Sequence, residues 1–150
     1  MKNNNSLFFT CSLIEFIGRR MKQKRSDTVK ALGDELLTRI LRYADVLHCE
    51  PIERVADEFI SLSGISEGSF DNAAQCRYRL PDCWDIGEVY CRLIEDILDE
   101  GENSVNEILS ALKEVYSSEI SDSISDYNTD FYYQSRNYIK ACYLAGEILE

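Results

Sequence analysis

Apolar residues recur at intervals of three and four along most of the chain, which is the spacing of one face of an α-helix. The clearest case lies between residues 26 and 47, with apolar positions at Val29, Leu32, Leu36, Ile40, Tyr43 and Leu47. The same spacing predicts further helices over residues 7–21, 51–63, 83–100, 105–116 and 131–150. Two prolines and seven glycines are few for the many tight turns of a sandwich or barrel. The pattern therefore predicts an all-α chain.

Start and stop signals support these boundaries. Ser26 is a candidate N-cap of the second helix, Pro51 suits the first position of the third, and Gly64 is a suitable stop. Residues 82–85 and 104–107 each place a capping side chain three positions before an acidic residue, which is the spacing of a capping box. Each of these two pairs predicts the first turn of a helix.

One long interior stretch, residues 65–81, has no helical period, although residues 71–75 have the composition for a single turn. Residues 117–130 are rich in serine and aspartate and predict either a continued helix or a short extra one. Residues 1–6 are polar, and we expect them to be disordered. The whole chain, 1–150, is then a single helical domain, a compact bundle of about six helices with one irregular loop.

The segment from Leu7 to Ile17 is apolar and contains few polar residues. So wide an apolar face predicts a helix that is buried on most sides or lies in an oligomer interface, so a homodimer through residues 7–21 is one expectation. The run is too short to span a bilayer, which takes about 20 residues. It also precedes its basic cluster, which is the reverse of the order in a secretory signal. These features predict a cytoplasmic protein that does not insert into membranes.

Charge is distributed unevenly along the chain. The net charge is −11, but residues 1–30 hold seven basic and two acidic side chains, whereas residues 31–150 hold nine basic and twenty-five acidic ones. The acidic part repels nucleic acid and anionic membrane and would attract a basic protein partner. A simpler interpretation is that this charge only keeps the protein soluble.

A basic cluster follows the first predicted helix, and its members are Arg19, Arg20, Lys22, Lys24 and Arg25. These residues are candidates to contact nucleic acid or another anion. A nucleic-acid-binding regulator that uses the segment 19–30 is therefore the main alternative to protein binding. Cations near a helix C-terminus also interact favourably with the helix dipole, which would explain the cluster without any ligand.

No recognisable catalytic motif is present. The chain has one histidine, His48, and lacks the motifs of phosphate loops, dinucleotide-binding turns, serine nucleophiles and helical zinc sites. The six cysteines match no common zinc spacing, and we expect them to be free, buried thiols. We therefore predict no metal and no cofactor. An enzyme of unrecognised type stays open as a further alternative, and a pocket lined by Cys76, Cys83 or His48 would be its signature.

The candidate partner-binding residues lie in the irregular stretch and at the start of the next helix. They are Arg77, Tyr78, Arg79, Trp84 and Asp85. Arginine, tyrosine and tryptophan dominate binding hot spots, and paired arginines are able to bind a carboxylate or phosphate bidentately. The alternative is that the arginines pair with local acids and fasten the loop internally.

A resemblance to a known family covers roughly residues 7–97. It rests on the stretches LFFTCSLIEFIGRRMKQKRSD, YADVLHCEPIERVADEFI and FDNAAQCRYRLPDCWDIGEVYCRLIED. They resemble a small uncharacterised bacterial family associated with toxin–antitoxin-like gene cassettes, in which one neighbour looks like an ADP-ribosyltransferase toxin. The resemblance carries no catalytic motif and implies a neutralising or accessory member. Our first hypothesis is thus an acidic protein-binding module, an antitoxin or immunity-type partner of a basic or toxin-like protein.

Overall fold

The computed structural model of the protein describes residues 4–150. Within that range the chain forms eight α-helices and one 3-10 turn, with no β-strand. The elements are α1 (Asn4–Met21), α2 (Arg25–Leu47), α3 (Ile52–Ser63), α4 (Asn72–Gln75), α5 (Cys83–Ile97), α6 (Val105–Tyr116), α7 (Glu119–Ile124), the 3-10 turn (Phe131–Tyr133) and α8 (Arg136–Ala145). The all-α prediction is confirmed, and the irregular segment, residues 65–81, contains only the single turn α4. No helix in the described range combines the length and apolar character needed to cross a membrane.

Helix α1 lies at the centre of the bundle. It packs most extensively against α5 and α2, and it also contacts α3. Leu13, Ile14 and Ile17 have no exposed surface, so the wide apolar face of this helix is covered by the chain's own helices. Of the two expectations for this segment, burial on most sides is what the structure shows. A homodimer through residues 7–21 has no broad exposed apolar face to use and stays a prediction.

The C-terminal helices complete the core around α5. Helix α6 packs against α2 and α5, and α8 packs against α5. The buried rings of Tyr90 in α5 and Tyr116 in α6 stack with their centroids 4.0 Å apart. The Tyr90 hydroxyl forms a hydrogen bond of 2.6 Å with the hydroxyl of Ser121 in α7. Stacking and hydrogen bonding together join three helices at this point.

Helices α1 and α5 approach each other closely at Gly87. A Cβ atom at this position would lie 2.8 Å from both the Cα and the backbone nitrogen of Ser12 in α1. Because these neighbours are backbone atoms, they cannot move aside without separating the helices. The missing side chain at residue 87 therefore allows the spacing between the two helices.

Both predicted capping boxes are confirmed. Asp82 and Asp85 bond each other's backbone nitrogens at the start of α5, and Ser104 and Glu107 do the same at the start of α6. Gly64 ends α3 in the left-handed conformation with φ 68, as its stop signal predicted. These local signals need only residues within one turn of each other, which is why the sequence predicts them well.

Two helix starts differ from the prediction. Helix α2 begins at Arg25 and its N-cap residue makes no side-chain capping bond, so the prediction of Ser26 as the cap is wrong. The reason is that the Arg25 side chain is drawn into the core, which commits its backbone to the helix. Helix α1 begins at Asn4, within the segment 1–6 for which we expected disorder. Residues 1–3 lie outside the described range.

Several helices are shorter or less regular than predicted. The single helix expected over residues 131–150 is instead a 3-10 turn followed by α8, which Ser135 caps and Gly146 ends at φ 76. Helix α5 stops at Ile97, earlier than predicted. Within α2, Gly33 adopts φ 76 and interrupts the regular helix. Capping serines and glycines thus end elements that apolar spacing alone would continue.

We expect Gly87→Ala to lower the free energy of unfolding by about 1–3 kcal/mol, because the added methyl group overpacks the contact between α1 and α5. The sign is diagnostic, since the same change in an uncrowded helix raises stability by up to about 1 kcal/mol. Urea unfolding followed by circular dichroism measures the difference. Ser110→Ala, at an exposed position of α6, is the control and should change stability by less than about 0.5 kcal/mol. A Gly87→Ala variant as stable as the wild type would contradict this view of the crossing.

Candidate functional site

A buried ion pair joins α1 to α2. The carboxylate of Glu15 accepts hydrogen bonds from Arg25, at 2.9 Å from Nε and 3.1 Å from Nη2. The exposed fractions of the two side chains are only 1% and 0%. Charges buried this deeply are tolerated only when they are paired and hydrogen-bonded. The groups around the pair therefore matter for the stability of the fold.

Three further side chains surround this pair. The Tyr127 hydroxyl donates to the Glu15 carboxylate. Arg19 donates from Nε to the same carboxylate at 2.8 Å. The side-chain oxygen of Asn72 accepts from Nη2 of Arg25 at 3.0 Å. These five residues are referred to below as the buried polar cluster, and they come from α1, α2, α4 and the segment after α7.

Gly18 of α1 makes room for the Arg25 side chain. A Cβ atom at residue 18 would lie 2.8 Å from both Nε and Nη1 of Arg25. Nη1 donates to the backbone oxygen of Gln23 at 2.7 Å, so each guanidinium nitrogen has an acceptor. The cation thus enters the core without leaving a nitrogen unpaired, which is the condition for burying it.

The buried polar cluster keeps Glu15 ionised. Burial alone would raise the pKa of this carboxyl, but the charge and hydrogen bonds of Arg25, aided by the other members, outweigh it and lower the pKa from 4.5 to about 2. Burial and the neighbouring Glu15 charge raise the pKa of Tyr127 to about 12. The Tyr127 hydroxyl consequently keeps its proton at neutral pH and acts as a donor to the carboxylate.

The same cluster holds the irregular segment in place. Arg19 donates from Nη2 to the backbone oxygen of Pro81 at 2.7 Å. Asn72 donates to the backbone oxygen of Ser125 at 2.9 Å. Two backbone hydrogen bonds also join Gly68 to Met21, at the end of α1, and Phe70 to Lys22, in the link that follows. Polar contacts therefore attach this segment to the core at several points along its length.

Two of the five basic residues predicted to contact nucleic acid are withdrawn from the surface. Arg25 is fully buried, and the Arg19 side chain, 16% exposed, is engaged by Glu15 and by Pro81. The prediction is wrong for both, because a guanidinium committed to a buried carboxylate is not available to a phosphate. The sequence shows where the apolar run ends and the basic cluster begins. It does not show which of the basic side chains turn into the core.

The other three basic residues remain at or near the surface. Arg20 is exposed, pairs with Asp57 of α3 and lies over the ring of Phe16, 4.8 Å from its centroid. Lys22 is half-buried and Lys24 is exposed. A nucleic-acid or anion contact by Arg20, Lys22 or Lys24 stays a prediction, with a smaller basic surface than the sequence suggests.

All five predicted partner-binding residues are exposed, namely Arg77, Tyr78, Arg79, Trp84 and Asp85. They are referred to below as the ridge. The Tyr78 side chain is 67% exposed, while Trp84 is 38% exposed because its ring packs against two phenylalanines of α1. Neither Arg77 nor Arg79 makes a side-chain hydrogen bond or ion pair with any residue in the range 4–150. The alternative of an internal clamp is therefore not what the structure shows.

The backbone of the ridge is hydrogen-bonded to the rest of the protein, while the side chains of Arg77, Tyr78 and Arg79 stay exposed. The amide of Arg77 donates to the side-chain oxygen of Asn128 at 2.8 Å. Asn128 also donates to the backbone oxygen of Gln75 at 3.1 Å. At the other end, the carboxylate of Asp85 accepts from the amide of Asp82 at 3.1 Å in the capping box. Because the backbone is already anchored, less conformational entropy is lost when the ridge binds a partner.

A groove of about 550 Å³ lies beside the ridge. It is lined by residues 79–81, by one face of α5 and by residues 132–136, so Arg79 and Asp85 belong to both ridge and groove. The Tyr132 ring meets the Tyr127 ring edge-on, with centroids 6.1 Å apart. This contact links the groove to the buried polar cluster. The volume is in the range of pockets that take small ligands or a few side chains.

The buried thiols are poorly suited to nucleophilic chemistry. None of the six cysteines, which all lie within residues 4–150, forms a disulfide, and four are buried. Burial raises the pKa of Cys83 to about 11 and that of Cys91 to about 12, which keeps both thiols protonated. Neither Cys83 nor the other two residues named for an enzyme pocket, Cys76 and His48, lines the groove. Within residues 4–150 no group of His, Cys, Asp and Glu is arranged to hold a metal ion.

The sequence pattern alone does not reveal the buried polar cluster, although one signal for it exists. Glu15 is the only charged residue in the apolar run from Leu7 to Ile17. A single carboxylate in a buried helix requires a buried cation, and the nearest cations belong to the basic cluster that follows. The partners from residues 72 and 127 have no comparable signal, because they are distant in sequence.

No protein-family model matches the sequence, and no curated protein and no solved structure matches it. These comparisons therefore assign the chain to no family.

We expect the pair Glu15–Arg25 to be strongly coupled energetically. Arg25→Met and Glu15→Gln should each lower the free energy of unfolding by about 3–5 kcal/mol, because each removes one member of a buried ion pair and leaves the other with fewer polar partners. The double variant should lose clearly less than the sum of the two single losses, with a coupling free energy above about 1 kcal/mol. Urea unfolding of the four proteins measures this cycle. Strictly additive losses would contradict the role that we assign to the pair.

The pH dependence of stability provides a separate test of Glu15. Its pKa is near 2 in the folded protein and 4.5 ordinarily, so its contribution is complete above about pH 5 and is lost as the pH falls toward 2. A shift of this size corresponds to about 3 kcal/mol. The stability difference between the wild type and Glu15→Gln, from urea unfolding at several pH values, should shrink by about that amount on acidification. Parallel curves for the two proteins would rule out an ionised Glu15 as the cause.

Proposed function

We propose that the protein is an acidic protein-binding module that covers a basic surface of a partner protein. The exposed ridge carries this proposal, because it presents two arginines and two aromatic side chains at the surface. Within residues 4–150 the arginine side chains have no polar partner that would occupy them. Side chains of these types supply most of the free energy of protein association where they cluster.

The charge of the surface supports a basic partner. The net charge is −11, and Arg19 and Arg25 are used inside the protein by the buried polar cluster. The accessible surface of the N-terminal part is therefore less basic than its sequence suggests. An acidic exterior attracts a basic protein from a distance and speeds the encounter, while short-range contacts on the ridge determine which partner is retained.

The antitoxin or immunity role follows from the resemblance of residues 7–97 to the family of toxin–antitoxin-like cassettes. In such a role the module would act by occlusion, placing its own surface over a basic or catalytic surface of a toxin-like protein. A chain with no recognisable catalytic motif suits the neutralising member of such a pair. No chemistry by this protein is required, only a stable complex.

Co-expression with the products of the neighbouring genes tests this function directly. We expect one neighbouring product to co-purify with the protein and, where that product alone stops growth, co-expression to restore growth. Affinity purification followed by a growth assay gives both results. Failure to form a complex and to restore growth with every neighbouring product would contradict the proposal.

The chain provides a matched pair of variants for the ridge, because the dipeptide Arg-Tyr occurs twice at exposed positions, at 77–78 and at 42–43 in α2. We expect Arg77→Ala with Tyr78→Ala to raise the Kd for the partner by about tenfold or more, the effect of losing hot-spot side chains. Titration calorimetry with the co-purified partner measures the change. Arg42→Ala with Tyr43→Ala should change the Kd by less than about threefold. Equal effects of the two double variants would show that the ridge is not part of the interface.

A further inference from the structure

Most charged groups that line the groove already have partners within the protein. Arg92 pairs with Glu88 one turn earlier on α5. Arg136 of α8 pairs with Asp96, with Nη2 and Oδ1 2.8 Å apart. In each of these ion pairs the two charges offset each other. The pairs therefore leave the groove little net charge with which to attract a ligand.

Two charged residues of the lining remain, and they differ in their availability. The Asp85 carboxylate is used at the start of α5, where it accepts the amide proton of Asp82. The Arg79 guanidinium makes no hydrogen bond or ion pair with any residue in the described range. The lining therefore offers a ligand one available cation, the Arg79 guanidinium. This group can form two parallel hydrogen bonds with an acidic group.

The uncharged part of the lining is aromatic and aliphatic. Leu80 is 42% exposed and Tyr133 is 67% exposed, next to the half-buried Tyr132 and Val89. Exposed apolar surface beside one unpaired cation fits a ligand with an apolar group next to an anion. A tyrosine wall also favours an aromatic or aliphatic side chain in the ligand.

We propose that this groove binds an extended segment of the partner protein in which an aspartate or glutamate stands next to an aromatic or aliphatic residue. The ligand carboxylate pairs with Arg79, and the apolar neighbour packs against Leu80 and the two tyrosines. This proposal rests on the proposed function, since it names the part of the partner that the module recognises. A partner that is basic overall supplies this one acidic anchor locally.

A carboxylate suits the site better than a phosphate does. A phosphate monoester carries nearly two negative charges at neutral pH, whereas the groove offers one unpaired arginine near the carboxylates of Asp85 and Glu88. The second charge would meet repulsion with no cation to balance it. A singly charged carboxylate is fully matched by the Arg79 guanidinium in a bidentate pair.

Both sides of the groove are connected to the buried polar cluster. Pro81 accepts a hydrogen bond from Arg19 at 2.7 Å, and Tyr132 packs edge-on against Tyr127. Because these contacts hold Pro81 and Tyr132 before any ligand arrives, the conformational entropy lost on binding is reduced at these two positions. Each side of the groove therefore has a fixed point in the unbound protein.

The test uses the full-length protein and a display library of short random peptides. Peptides selected on the wild-type protein should be enriched in aspartate or glutamate adjacent to an aromatic or aliphatic residue. A synthetic copy of the strongest binder should bind Arg79→Glu about tenfold or more weakly than the wild type. Arg42→Glu makes the same charge change at an exposed position outside the groove, so it should keep affinity within about threefold. A phosphoserine copy of the peptide, in place of its acidic residue, should bind more weakly than the carboxylate.

Enrichment without acidic residues, tighter binding of the phosphoserine copy, or equal affinity for Arg79→Glu and Arg42→Glu would overturn the proposal, as would a selection that enriches nothing. Circular dichroism and thermal unfolding confirm that both variants fold. The outcome is separable from that of the proposed function. If the Arg79→Glu variant still forms a complex with a neighbouring gene product, the proposed function stands and only the groove is excluded as the binding site.

Discussion

The ion pair between Glu15 and Arg25 is the interaction on which the rest of the structure depends. Apolar packing explains why α1 lies among its neighbours, whereas the irregular segment packs less of its surface on the core, through Ile65 and Cys76, and is also held by polar contacts. A buried carboxylate and a buried guanidinium both require complete hydrogen bonding, and parts of the chain far from either residue supply it. The segments that carry Asn72 and Tyr127 are therefore held by hydrogen bonds to this ion pair in addition to the apolar contacts of their neighbours, such as Ile124 and Phe131.

The helices and their caps were largely predictable, because the information lies within one or two turns of sequence. The errors occur where a distant residue decides the local structure, as at Arg25, whose helix starts early because Glu15 draws the side chain inward. The composition of the ridge was visible in the sequence, whereas its exposure was not. The groove was not predictable, since its lining comes from three separate parts of the chain that only the folded core brings together.

An acidic protein that presents unpaired arginines combines two electrostatic effects of different range. Long-range attraction depends on the summed charge, which is −11, and in physiological salt it acts over roughly 8 Å from the surface. Contact energies depend on the immediate neighbours, and at Arg77 and Arg79 no acidic side chain of the described range pairs with the exposed cation. The two effects do not oppose each other, because the first governs how often a partner arrives and the second governs how long it stays.

Gly18 makes several positions of this chain dependent on one another. A side chain at residue 18 would displace Arg25, and without Arg25 the buried carboxylate of Glu15 would keep only Arg19 and Tyr127 as partners. We therefore expect substitutions at these positions to be tolerated only in combination, whereas the exposed side chains of the ridge make no comparable contacts within the core. The set Glu15, Gly18, Arg25 and Tyr127 is thus a linked group, whose members we expect to vary together in any relative that keeps this interior.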